Sequence, residues 1–240
     1  HGIECELLGD DPDRLNFVAR LKGSGRQRPL LLMAHSDVVP ADRSAWSVDP
    51  FAASIRGGAV YGRGAEDTKD LLAAELAVLV ELKLRGAALD RDIILLSEAD
   101  EEAASTGIRW LIANAWEKID AEFALNEGGA IYDTPQGARL FRIQTAEKIP
   151  TRVALVARGT AGHAAAPRAD NAVVALARGI VKLAGAESPV KLNPTTDAYL
   201  EGLSGLPEYA WLRSLLPSLR NPQTAPEAAS RIRDRSPDLA

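Results

Sequence analysis

This 240-residue sequence lacks several features, and each absence argues against a kind of structure or partner. A single cysteine, Cys5, excludes an internal disulfide framework and a zinc site built from thiolates, so we interpret it as a structural residue near a strand. No apolar run approaches the roughly 18 residues that a membrane-spanning helix needs, and no signal peptide is visible. The net charge of −5, with no lysine- and arginine-rich face, indicates neither a nucleic-acid nor a membrane partner.

What the sequence does contain is typical of a globular protein, with 46% apolar and 25% charged residues. The length allows one large domain or two smaller ones. The sequence starts at His1 without a methionine, so we expect it to be cut from a longer protein, and a leader could have been lost. The lack of disulfides is weak evidence for a compartment, so the compartment stays open, with the cytoplasm slightly favoured.

Three short apolar runs each lead into side chains that bind metals. They begin at Leu30, Ile93 and Phe123, and their lengths suit buried parallel strands. Because ligands bind beyond the carboxyl ends of the strands in open α/β sheets, the side chains that follow are expected to converge at one sheet edge. One imidazole and several carboxylates there are the components of a divalent-metal site, which indicates a metal-dependent hydrolase.

The order of predicted elements indicates an α/β fold with a mostly parallel sheet and helices on both faces. A helix beginning near Thr68 has leucines at helical spacing and ends at Gly86. Strands are predicted at Ile3–Leu8, Phe17–Leu21, Leu30–Ala34, Asp92–Ser97 and Glu122–Leu125, a short hairpin near Ile55–Tyr61, and a second helix at Thr106–Trp116.

The composition changes after residue 145, so we predict a first domain at 1–145 and a second at 146–240. In the second domain we predict a strand at Arg152–Ala157, a small-residue loop with His163, and a helix at Asn171–Ala184. Beyond Glu187 the sequence shifts to proline, polar residues and isolated leucines.

His35 and Asp37 are two apart directly after a predicted strand. Alternate side chains of an extended segment point the same way, so the Asp37 carboxylate is expected to hold one ring nitrogen of His35 and fix its tautomer. A hydrogen-bonded core histidine beside a loop aspartate is the alternative.

The segment from Gly62 to Lys69 is a glycine-rich turn that leads into the first long helix. It fails both as a dinucleotide fingerprint and as a phosphate-binding loop, which disfavours a nucleotide-binding protein. The turn delivers Asp67 to the helix start, either as an N-cap or as a site residue.

Two further groups of residues are candidates. The run Asp100-Glu101-Glu102 needs a nearby cation or full solvation, and one glutamate could bind metal while its neighbour serves as a general base. Glu127 follows a short strand, and His163 lies among small residues that leave its ring accessible. Each of the last two has a plain surface residue as its alternative.

The joint order of these motifs resembles the M20 family of metallopeptidases, which includes carboxypeptidases, dipeptidases and N-acyl amino acid deacylases. The matching stretches are His35 to Pro40, Trp46 with Asp49 to Phe51, Gly62 to Lys69, Asp100 to Glu102, Asn126 to Gly129, and Gly162-His163 with Pro167. They cover about Leu30 to Ala184.

The resemblance implies a role for each residue. It implies two zinc ions, for which Co²⁺ or Mn²⁺ could substitute. Asp67 would bridge the two ions. His35 and Glu127 would also hold the first ion, and Glu102 would hold the second. It also implies a cis peptide after Asp67. The implied general base is Glu101, and Asp37 would contact a metal ligand without binding the metal itself. His163 would be a lid histidine that stabilises the oxyanion in the active site of a partner subunit.

The implied protein is a dizinc amide hydrolase with an inserted, incomplete α+β lid that forms a homodimer. Its expected substrates are small peptides or N-acyl amino acids. A deacylase and a catalytically dead binding or dimerisation module are the alternatives. Asp70 and the segment Ala103–Thr106 replace glycines that are usual in the family, and no histidine follows His163 to complete the second zinc site. We therefore expect the amino-terminal portion of a longer enzyme.

Overall fold

A computed structural model describes residues 1–133, 137, 139–146, 152–163, 165–186 and 189–239. The chain divides into two compact units, residues 1–148 and 149–240, which are treated separately below. Among the described residues, no helix is both long and apolar enough to cross a membrane.

The first unit is built on a five-stranded sheet. The strands of this unit are β1 (Glu4–Leu8), β2 (Asn16–Leu21), β3 (Leu30–His35), β4 (Ser54–Arg56), β5 (Ala59–Tyr61), β6 (Ile93–Glu98), β7 (Phe123–Leu125), β8 (Ala130–Asp133) and β9 (Arg139–Arg142). The sheet order is β1-β2-β6-β3-β7, and β4-β5 and β8-β9 form two separate antiparallel hairpins. Only β2 runs against its neighbours, so the mostly parallel sheet is confirmed.

The register of the parallel strands brings the predicted site segments to one edge. His35, the last residue of β3, is the partner of Glu98, the last residue of β6. On the other side of β3, Leu32 is the partner of Leu125, the last residue of β7. The segments that follow these three strands therefore leave the sheet at the same edge, where ligands bind in α/β folds.

Helices cover both faces of the sheet, as predicted. They are α1 (Lys69–Leu84), α2 (Thr106–Asn114) and α3 (Trp116–Ile119). Successive strand residues face opposite sides, so Leu31 packs with α2 and α3 while Leu32 packs with α1. Leu79 of α1 and Leu111 of α2 are fully buried, and each such side chain contributes about 1.5–3 kcal/mol by burial. Burial on both faces explains why β3 and β6 have continuous apolar sequences.

In the second unit, the described residues form helices alone: α4 (Ala172–Ala184), α5 (Pro194–Ser204), α6 (Leu216–Leu219) and α7 (Ala225–Arg235), with 3₁₀ turns at Pro207–Ser214 and Pro237–Leu239. Three prolines of the carboxyl-terminal segment, Pro194, Pro217 and Pro226, occupy the first turns of α5, α6 and α7, where a missing N–H costs nothing. Its isolated leucines, such as Leu203, Leu212 and Leu216, are buried between these helices.

One strand prediction is wrong. Arg152–Ala157 has the apolar composition of a strand, but these residues form no β pairing. A strand requires a hydrogen-bonding neighbour, and the described residues of the second unit provide none. The predicted helix Asn171–Ala184 is confirmed as α4, where the Asn171 side chain caps the first turn by accepting from the N–H groups of Val173 and Val174.

Candidate metal centre

His35 is buried at the end of β3, with two ring nitrogens in different surroundings. Nδ1 lies 3.0 Å from the main-chain oxygen of Asp37, and a carbonyl oxygen only accepts hydrogen bonds. In the neutral ring Nδ1 therefore carries the proton and Nε2 carries a lone pair. That lone pair faces Asp67 Oδ1 at 3.1 Å and Glu127 Oε2 at 3.6 Å. The ring is held in the tautomer that binds metals through Nε2.

The ligand atoms of His35, Asp67 and Glu127 all lie within 4.8 Å of one another. An imidazole lone pair and two carboxylates repel each other unless a proton or a cation lies among them. Burial lowers the pKa of His35, but in the protonated ring Nε2–H donates to Asp67 and Nδ1–H donates to the Asp37 carbonyl, and these bonds outweigh burial, so the pKa is raised. One nitrogen and two carboxylate oxygens are donors that zinc and other divalent ions accept, so these residues fit such an ion.

Asp67 reaches this cluster from the turn before α1. Gly64 in that turn has φ of 80°, and a Cβ there would lie 2.4 Å from Val38 Cγ1, so only glycine allows this close approach. The peptide between Asp67 and Thr68 is cis, which confirms that expectation. Thr68, rather than Asp67, is the N-cap residue of α1. The Asp67 side chain is therefore turned towards His35 and does not cap the helix.

Asp37 acts differently from the prediction. Its carboxylate lies 3.6 Å from His35 Nδ1, farther than its own main-chain oxygen. The two carboxylate oxygens instead accept hydrogen bonds from the N–H groups of Glu101 and Glu102, each at 3.1 Å. Asp37 thus holds the ring with its backbone and the Glu101–Glu102 segment with its side chain.

Glu101 and Glu102 lie beside the cluster but outside the group of three ligands. Burial raises the pKa of Glu101, and the charge of Glu102 raises it further against the opposing effect of His35. Burial likewise raises the pKa of Glu127, and the charges of Glu101 and Glu102 add to that shift. Four of the predicted carboxylates therefore share one electrostatic environment, with three of them raising the pKa of a fourth.

Glu98 belongs to this environment and was missed from the sequence. It is 5% exposed, and its Oε1 has no hydrogen-bond partner in the part of the chain that the structure describes. Burial, with the charges of Glu101 and Asp37, raises the pKa of Glu98 to about 7. The available signal was an acidic residue at the end of an apolar run, two positions before the conspicuous Asp100-Glu101-Glu102.

His163 lies in the second unit and is exposed there. Its Nδ1 accepts a hydrogen bond from the N–H of Ala165 at 3.2 Å. In the neutral ring the proton is therefore on Nε2, which is left as a donor.

The sequence model of peptidase family M20/M25/M40 matches residues 31–228. The chain belongs to this family. The family consists of metallopeptidases and amidohydrolases, and membership implies the use of a divalent metal. The match includes the segments that carry the His35, Asp67 and Glu127 cluster.

Several known proteins are similar to this chain. The human N-fatty-acyl-amino acid synthase/hydrolase PM20D1 is 31% identical over 215 residues, which cover 88% of this chain and 42% of the relative. Succinyl-diaminopimelate desuccinylase of Rhodospirillum centenum is 36% identical over 187 residues, with coverages of 74% and 45%. The structure of the M20 metallo-carboxypeptidase Sso-CP2 from Sulfolobus solfataricus is 31% identical, covers 57% of this chain and 30% of that chain, and has a TM-score of 0.49. The chain spans less than half the length of these relatives.

Proposed function

We propose that this chain is part of a dizinc hydrolase that cleaves the amide bond of an N-acyl amino acid or a small peptide. The observation that carries the proposal is the approach of His35 Nε2 to the carboxylates of Asp67, at 3.1 Å, and Glu127, at 3.6 Å. Family membership supports the same reading.

The proposed metal ligands are those that the resemblance to the M20 family implies, and the close approach of His35, Asp67 and Glu127 supports three of them. Asp67 would bridge two ions, with His35 and Glu127 on the first and Glu102 on the second. Zinc bound there would lower the pKa of a water molecule and polarise the substrate carbonyl. The main-chain oxygen of Asp37 keeps the His35 proton on Nδ1, so Nε2 stays available as a ligand.

Glu101 is the proposed general base. Its N–H is held by Asp37 Oδ1, which fixes the backbone while the carboxylate has no fixed role in the metal cluster. Burial raises the pKa of Glu101 towards neutral pH. A group with such a pKa can both take a proton from water and return it to the leaving amine.

His163 is the proposed oxyanion donor. The Ala165 N–H occupies Nδ1, so the Nε2–H is free to donate to the oxygen that becomes negative during attack on the carbonyl. In the proposed homodimer this donor would come from the lid of a partner subunit.

The names of the relatives favour acyl substrates. Both the human relative and the desuccinylase are named for acyl groups carried on amino nitrogens. A small peptide is the second candidate, because the family to which the chain belongs is named for peptidases. A catalytically dead binding module is disfavoured, because it would have no use for a base such as Glu101.

The test uses the full-length protein loaded with zinc and offered N-acyl amino acids and dipeptides. Glu101→Gln is expected to lower kcat by about 10²–10⁴-fold while zinc content stays the same, because only the proton acceptor is lost. Glu117→Gln, at an exposed position of α3, is the matched control and should leave kcat unchanged. Full turnover in Glu101→Gln would overturn the assignment of the base, and absence of hydrolysis in the zinc-loaded wild type would favour the binding module.

A further inference from the structure

Two residues, one just before β2 and one at its start, reach the segment that carries Glu101 and Glu102. We call this segment, residues 99–105, the acid turn. Asn16 is fully buried, and its amide makes three hydrogen bonds. Nδ2 donates to Leu8 O at 3.0 Å and to Gly107 O at 3.2 Å, while Oδ1 accepts from the N–H of Ala99 at 3.1 Å. The amide therefore ties β1 and the start of α2 to the first residue of the acid turn.

Arg14 holds the next residue of the acid turn. Its guanidinium donates to Oδ1 of Asp100, and the hydroxyl of Thr106 donates to Oδ2 at 2.6 Å. Asp100 is 5% exposed and has φ of 65°, a conformation that non-glycine residues rarely adopt. Its main-chain oxygen also accepts from Ser105 N at 2.7 Å. Contacts on both carboxylate oxygens keep Asp100 in this unusual conformation.

The acid turn is thus held from two directions. Asp37, after β3, binds the N–H groups of Glu101 and Glu102. Arg14 and Asn16, before and within β2, bind Asp100 and Ala99. Neither of the latter two is a candidate metal ligand.

We propose that Arg14 and Asn16 are positioning residues, which set the backbone of the acid turn and so aim the carboxylate of Glu101 at the attacking water. This inference rests on the proposed function, since it needs Glu101 as the base. A general base must lie within hydrogen-bonding reach of the proton it takes, and a misplacement of about 1 Å can cost roughly 10²-fold in rate. The contacts of Arg14 and Asn16 therefore act on turnover more than on substrate binding.

Arg14 gives the cleaner test, because its side chain is 57% exposed while Asn16 lies in the core. Arg14 and Asp100 also line a cavity of about 470 Å³ that extends to Asp37 and Glu102, so truncation of Arg14 opens space that water can fill. Arg26, which pairs with Asp90 and is 74% exposed, supplies the matched control for removal of a surface arginine from an ion pair.

The first measurement is steady-state kinetics of the full-length zinc-loaded enzyme. At saturating zinc, which keeps the ion at Glu102 occupied, Arg14→Ala is expected to lower kcat about 10- to 100-fold, with KM changed less than about twofold. Arg14→Lys keeps the positive charge and should restore most of kcat, while Arg26→Ala should match the wild type. An unchanged kcat in Arg14→Ala, or a loss of kcat that only follows a loss of folded protein, would overturn the inference.

The second measurement is amide hydrogen exchange, which needs no activity. Arg14→Ala should speed exchange at the amides of Glu101 and Glu102 by about tenfold or more, with protection in β3 and β6 unchanged. A merely structural role predicts faster exchange throughout the unit, and unchanged exchange in the acid turn would contradict the proposal. If Glu101→Gln keeps full turnover while exchange in Arg14→Ala accelerates locally, the proposed base is wrong and the positioning of the turn stands.

Discussion

At the residue scale, the candidate centre depends on which atom of Asp37 contacts which neighbour. The main-chain oxygen holds His35 Nδ1, and the carboxylate holds the acid turn. One residue thereby orients a proposed ligand and a proposed base. Because Asp67 has no competing role as a helix cap, its side chain remains available to metal.

Asp67→Ala should remove zinc binding while leaving the fold intact, since the Asp67 side chain is 71% exposed and lies outside the core. We expect zinc affinity of the 240-residue chain to fall by roughly 100-fold or more, measured by calorimetric titration, with an unchanged circular dichroism spectrum. Asp70→Ala, on the first turn of α1, is the matched control and should bind zinc as the wild type does. Full zinc stoichiometry and affinity in Asp67→Ala would contradict the bridging role.

Glu75 offers a test of pH dependence away from the centre. It is a residue of α1 that faces β3 and is 7% exposed, its Oε2 has no partner among the described residues, and burial raises its pKa to about 7. Between the ordinary value of 4.5 and about 7 the folded chain holds a proton that the unfolded chain has lost. Stability from this group is therefore complete below pH 4.5 and is lost as the pH rises to about 7.

Glu75→Gln should flatten this decline, because glutamine does not ionise. At pH 8 we expect the variant to gain on the order of 1–3 kcal/mol in the free energy of unfolding over the wild type, with no gain at pH 4.5. Urea unfolding at both pH values measures the difference. Glu81→Gln, exposed on the same helix, should show no such dependence, and an equal effect of Glu75→Gln at both pH values would contradict the buried proton.

At the element scale, the junction between the acid turn and α2 has unusual backbone demands. Ser105 has φ of 51°, in the segment where the sequence lacks the glycines usual in the family. Two residues later, a Cβ on Gly107 would lie 2.3 Å from Ala99 O and 2.5 Å from Asn16 Oδ1. Position 105 would therefore accept a glycine, and position 107 requires the glycine that it has.

Substitutions at these two positions should have opposite effects on stability. Ser105→Gly should raise the free energy of unfolding by up to about 1 kcal/mol, because glycine adopts positive φ without steric cost. Gly107→Ala should lower it by about 1–3 kcal/mol, although alanine favours helices, because Ala99 and Asn16 must move apart. Thermal and urea unfolding of both variants test this pair, and stabilisation by Gly107→Ala would show that the approach of α2 to the turn is looser than described.

At the scale of the whole molecule, all four proposed metal ligands lie in the first unit and the proposed oxyanion donor lies in the second. Metal binding to the folded state should therefore stabilise residues 1–148 selectively. At a free zinc concentration of 100 times Kd, the gain is about 2.7 kcal/mol.

Hydrogen exchange with and without zinc measures this selectivity. Zinc should slow exchange in peptides that cover β3, the turn before α1 and the segment after β7, while α5 and α7 remain unchanged. Excess chelator should reverse the effect, and His35→Ala should abolish it. Equal protection of both units would indicate a metal site of another composition.

Much of the first unit followed from local pattern in the sequence. The apolar runs of β3 and β6 are buried on both faces and so have no polar alternation, and α1 follows its leucine spacing to Leu84, two residues before Gly86. The prediction of one long helix at Thr106–Trp116 was less accurate, because Ala115, at φ of −149°, separates α2 from α3. The hairpin of β8 and β9 was not predicted. A local sequence pattern indicates periodicity, whereas the break between two helices and the formation of a hairpin depend on contacts with neighbouring segments.

The sequence by itself determined the parallel strands and the placement of His35 and Glu127 at the carboxyl ends of two of them, because strand period and length are local properties. Only the tertiary structure decided that Asp37 holds His35 through its backbone, that Asn16 reaches Ala99 across 83 residues of sequence, and that Glu75 and Glu98 are buried. It also decided that Arg152–Ala157 is not a strand. These outcomes depend on contacts between distant segments, and no local pattern encodes which partner a polar group or an extended segment will meet.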